Sequence, residues 1–131
     1  MKLTFPGFGG KQDKRRERIY IATKVEDIKF EHYESAAREY FARVTELVQS
    51  MNDSYAAVKD AKTSKSAKAR ERQNFSDAFQ NLSTIAHFIK ALYDRAHTHE
   101  QNQIAANLQD MKESAMNSYA EMQKKSLEMQ G

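Results

Sequence analysis

Ala37-Arg-Glu-Tyr-Phe-Ala-Arg-Val-Thr-Glu-Leu-Val-Gln-Ser-Met-Asn-Asp-Ser-Tyr-Ala-Ala-Val58 is the stretch that decides the fold. Apolar or small residues fall at Ala37, Phe41, Val44, Val48, Met51, Tyr55 and Val58, in alternating steps of four and three. A spacing averaging 3.5 keeps one stripe of a helix facing a neighbouring helix along its whole length. The same steps return in Phe75, Phe79, Leu82, Ala86, Ile89, Tyr93 and Ala96, and begin again in Ile104, Leu108, Met111 and Ala115. The chain therefore reads as all-α, with long antiparallel helices in a coiled-coil-like bundle. Phe41, Val44, Val48, Met51, Tyr55, Phe75, Phe79, Leu82, Ile89, Leu108 and Met111 are expected in the core or in an oligomer interface.

Composition agrees with that class. Of 131 residues, 40% are hydrophobic, enough for one core, and 30% are charged, which implies long solvated faces. Pro6, Gly7, Gly9 and Gly10 crowd the first ten residues and the fourth glycine is Gly131, so nothing between Lys11 and Gln130 forbids helix. Residues 1–10 read as a flexible arm carrying Leu3, Phe5 and Phe8, and 11–131 as the helical domain. The first helix is expected to start near Gln12 or Asp13, where an acidic side chain suits the positive end of the helix dipole. The weakest helical signal lies at 59–72, where Ala61, Ala67 and Ala69 are the apolar residues. With no glycine or proline there, a helix passing through to about Ala96 is favoured over a turn near 63–66. His97-Thr98-His99-Glu100-Gln101-Asn102-Gln103 has no large apolar residue and reads as a break. A last helix from about Gln103 to Met129 carries Met111, Met116, Met122 and Met129, an adaptable core stripe.

Charge is uneven although the net is only +3. Residues 11–24 hold six basic side chains against two acidic, and residues 59–72 repeat that ratio. Lys11, Lys14, Arg15, Arg16, Arg18, Lys62, Lys65, Lys68 and Arg72 are thus the candidate contacts for a polyanionic surface. Nucleic acid is the weaker partner, because Tyr20 alone supplies a stacking ring within either basic run. Catalytic chemistry finds little to work with: there is no cysteine, phosphate loop or nucleophile elbow. No cofactor and no metal site is expected. His97 and His99 are two apart and point to different helix faces, and Glu26, Asp27, Glu31 and Glu34 lack a Glu-x-x-His partner. The absence of cysteine and of a signal-like apolar run leads to the expectation of a cytoplasmic protein, peripheral at membranes.

Phe30-Glu31-His32-Tyr33-Glu34, Val44-Thr45-Glu46-Leu47-Val48 leading to Tyr55-Ala56-Ala57-Val58, Phe75-Ser76-Asp77-Ala78-Phe79-Gln80-Asn81-Leu82, and Ile104 to Leu108 together resemble the long helices of the BAR-domain superfamily. That resemblance implies a homodimer of bent three-helix subunits with a basic surface for anionic membrane. The arm 1–18 would then be an amphipathic inserting segment, with Leu3, Phe5 and Phe8 entering the bilayer. A helix unbroken from Asp13 to Ala96 leaves room for two long helices, whereas a BAR subunit has three. The rival reading is a compact three-helix bundle, with turns near 63–66 and 97–103, that joins other helical proteins as an adaptor or assembly module.

Overall fold

A computed structural model describes residues 19–130. Three helices follow one another, α1 at Tyr33–Lys59, α2 at Lys65–Thr98 and α3 at Asn102–Gln130, with no strand among the described residues. The fold is an all-α helical bundle.

Two expectations about helix limits fail. The first concerns residues 19–32, which are not the opening of a long helix. They form an extended strap with 3-10 turns at Val25–Asp27 and Phe30–His32. Ile19, Ile21 and Val25 are β-branched and disfavour helix, and the regular helical stripe begins only at Tyr33. The strap is fastened at its start and its middle: the Ile19 amide donates to Asn81 Oδ1 at 2.8 Å, and the Tyr33 hydroxyl donates to the Val25 carbonyl at 3.3 Å. Ile19 and Ile28 are buried against the bundle.

The second concerns the unbroken helix through 59–72, which is replaced by a tight turn at residues 60–64. Polar side chains break it without glycine or proline. Asp60 is extended, and its carboxylate accepts from the Lys62 amide at 2.9 Å while its carbonyl accepts from Thr63 at 3.1 Å. Ser64 then caps α2, its hydroxyl accepting from the Ala67 amide at 3.2 Å. Aspartate and serine compete with helix by offering the backbone these local bonds. The break expected after His97 is present, at residues 99–101. There Glu100 takes the left-handed conformation, φ 59°, and the amides of Gln101 and Glu100 reach back to the carbonyls of Ala96 and His97. That is a Schellman closure with a glutamate where glycine is usual.

The turn sends α2 back along α1, bringing the Tyr40 and Phe88 rings to 5.0 Å. Contacts between α1 and α3 keep one offset of 73 residues: Glu34 with Asn107, Asn52 with Lys125, Tyr55 with Glu128. The pairings climb together, so the ends of α1 and α3 share one end of the bundle with the start of α2. Between α2 and α3 the pairings run in opposite senses, Arg72 with Met129, Phe79 with Tyr119, Tyr93 with Lys112.

The core is centred one stripe over from the expected seam. Val44, Met51, Phe75, Leu82, Ile89 and Leu108 are buried as expected, but Phe41, Val48, Tyr55, Phe79 and Met111 are only partly buried, on the flanks. Tyr33, Tyr40, Leu47, Ile85, Leu92 and Met122 take the centre. Each helix must face two neighbours, which needs a wider apolar arc than a paired seam. The stripes expected in a core or an oligomer interface are thereby covered largely within one chain, and the large apolar residues described as exposed are Tyr20 and Leu127.

Candidate anionic-surface site

The end of the bundle holding the 60–64 turn collects positive charge from all three helices. Lys59 closes α1, Lys62 lies in the turn, and Lys65, Lys68, Arg70 and Arg72 occupy the first turns of α2. Lys124 and Lys125 join them from the last turns of α3, because α3 ends where α1 ends. Against these eight stand Asp53, Asp60, Glu71, Glu121 and Glu128, a surplus of three. The other described residues carry seven basic and eleven acidic side chains, a deficit of four. The bundle is therefore polar from end to end.

Local contacts separate the basic residues into held and free ones. Lys125 is held: it donates to Asn52 Oδ1 at 2.7 Å, lies 3.8 Å from Glu121 and sits over the Tyr55 ring at 5.1 Å. Lys59 lies near the same ring at 5.6 Å. Tyr55 in turn donates its hydroxyl to Glu128, and that bond to a carboxylate raises the phenol's pKa. Glu71 is turned aside, accepting from Asn74 Nδ2 at 2.8 Å. Among the described residues, Lys62, Lys65, Lys68, Arg70 and Lys124 make no ion pair. Two of them, Lys65 and Lys68, lie in the first turn of α2, which has no acidic residue. Cations at a helix N-terminus oppose the macrodipole by about 0.3–1 kcal/mol each. This local conflict is what an external anion would relieve.

Lys62, Lys65, Lys68 and Arg72, expected from sequence, are thus brought together. Lys11, Lys14, Arg15, Arg16 and Arg18, and the arm residues Leu3, Phe5 and Phe8, lie outside the described residues. Sequence reasoning missed Lys124, Lys125 and the exposed Leu127. Their signal was the cluster Lys124-Lys125-Ser126-Leu127, but only the direction of α3 places it beside the 60–64 turn.

Other surfaces have mixed character. Two grooves of about 370 and 410 Å³ flank the strap, lined between them by Lys24, Glu26, Asp94, Arg95, His87 and His99, among others. Both signs of charge are present, so neither groove selects an anion. His87 Nδ1 lies 2.7 Å from the Ser83 carbonyl, His97 stacks on Tyr93, and the His99 ring faces Phe30 at 5.7 Å. Among the described residues no three His, Asp or Glu side chains converge as metal ligands, and no helix is long and apolar enough to cross a membrane. No family model matches this chain, and neither a curated protein nor a solved structure does.

Proposed function

We propose that this protein is a non-enzymatic scaffold that attaches to anionic membrane surfaces through the basic end of its three-helix bundle. The observation that supports this is the segregation of charge: unpaired lysines from the 60–64 turn, α2 and α3 meet at one end, while the remaining described residues are net negative. Each Lys or Arg close to an anionic leaflet contributes about 1 kcal/mol, so a cluster binds where a single side chain would not. The net positive run 11–18, which adds to the same charge balance, would strengthen attachment. Membrane remodelling came with the BAR resemblance and the inserting arm, whereas the basic end of the bundle supports attachment alone.

Co-sedimentation with vesicles tests the proposal. Binding should require phosphatidylserine, fall as salt is raised, and drop at least ten-fold when Lys62, Lys65 and Lys68 are replaced by Glu. Equal binding to neutral and anionic vesicles rejects it. A second reading, an adaptor for another helical protein, is favoured by the three-helix architecture with breaks near where that reading put them. A partner captured regardless of those lysines, and lost when the flank residues Phe41 and Val48 are changed, supports the adaptor instead.

A further inference from the structure

Charge alone holds a protein outside the headgroups, and burying an apolar side chain is what fixes it in the interface. Leu127 is 64% exposed, and it lies at the basic end. On α3 it follows Lys124 by three residues, so the two share an outward face. Its neighbours in sequence, Ser126, Met129 and Gln130, line with Arg72, Phe75 and Ser76 a groove of about 110 Å³ between α2 and α3. Phe75 and Met129 are buried and make an apolar floor. Arg72 stands at the rim, its Nε donating to the Met129 carbonyl at 3.4 Å. That bond uses one of the five guanidinium donors and orients the rest of the group. Lys65 and Lys68 precede Arg72 at helical spacing on the same flank of α2.

An exposed leucine alone is ordinary surface. Here it is combined with an apolar-floored groove, an oriented guanidinium and unpaired lysines, which together match a lipid headgroup above its first methylenes. We infer that the α2–α3 face at the basic end is where the bundle enters the bilayer, with Leu127 inserting among the acyl chains and Arg72 binding the lipid phosphate. This inference rests on the attachment proposed above and adds to it a depth and an orientation.

The chain contains no tryptophan, so one introduced residue reports its own surroundings. Leu127→Trp should show a blue shift and protection from an aqueous quencher on phosphatidylserine-containing vesicles. Gln109→Trp, on the same stripe of α3 about 27 Å away, should show neither. Leu127→Ser should weaken vesicle binding about ten-fold, the loss of one leucine's burial, with unchanged melting because the site is exposed. Arg72→Gln should weaken binding to anionic vesicles with an unchanged melting temperature. Attachment that persists while the indole of the Leu127→Trp variant stays exposed to quencher overturns the insertion and leaves the charge-driven attachment standing. Failure of the unmodified protein to bind anionic vesicles at any salt overturns both.

Discussion

Tyr40 and Phe41 are neighbours in sequence, yet one is at the centre of the bundle and the other on its flank. A 3.5-residue seam selects Phe41, Val48 and Tyr55, because it asks for a narrow stripe facing one partner. The centre of the arc that α1 presents to two partners runs through Tyr33, Tyr40 and Leu47, with relative exposures of 0%, 1% and 1%. Leu47→Ala should therefore cost about 2–5 kcal/mol, and Phe41→Ala distinctly less, in denaturant unfolding. If the two cost the same, the flank is as tightly packed as the centre. Tyr33 and Tyr40 also link stability to alkaline pH. Burial raises both phenol pKa values above 10.0, with the Arg95 charge opposing the rise at Tyr33 and Glu39 adding to it at Tyr40. The neutral phenol is then the form the fold favours. Its contribution is complete below about pH 10 and is lost as pH climbs through the raised pKa. Unfolding should set in above pH 10, and Tyr40→Phe should lessen that dependence.

Among the elements, helix type was legible and two boundaries were not. The three apolar stripes marked helical sequence, although the first two were read as one helix, and the lack of large apolar residues at 97–103 marked the second turn. At 59–72 glycine and proline were the wrong breakers to look for. Asp60 and Ser64 end one helix and begin the next through side-chain bonds to Lys62 and Ala67 amides, and both residues stood in plain view. The strap was misread because its acidic and apolar residues can be fitted to a helix when Asn81, 62 positions away, is unknown as its anchor. Two substitutions check this account of the turns. Ser64→Ala should cost about 1 kcal/mol through loss of the cap. Glu100→Gly should instead stabilise by about 1 kcal/mol, since glycine adopts positive φ without the Cβ clash. Thermal melts of the two variants should move in opposite directions, and an unshifted Glu100→Gly melt would show that the left-handed turn carries no strain.

At the scale of the whole molecule, direction of chain converts a mild net charge into a polar body. The two basic runs were legible as sequence, but the union of the second with Lys124 and Lys125 depends on α3 running beside α1 in the same sense. That arrangement gives a bundle about 40–50 Å long, from helices of 27 to 34 residues at 1.5 Å each, with its surplus positive charge at one end. Attachment by that end keeps the acidic remainder away from the membrane, and screening makes the distance matter. Asp110 and Glu113 are exposed on α3, about 17–21 Å before Lys124 along the helix. The Debye length is roughly 8 Å at physiological salt and about 30 Å at 0.01 M. Replacing both with Lys should therefore leave vesicle binding nearly unchanged at physiological salt and strengthen it at 0.01 M. A bundle lying lengthwise on its α3 face would bring the new lysines against the headgroups and bind more tightly at both. Strengthening at physiological salt thus rejects end-on attachment, while salt-selective strengthening, together with loss of binding when Lys62, Lys65 and Lys68 are reversed, fits contact through one end.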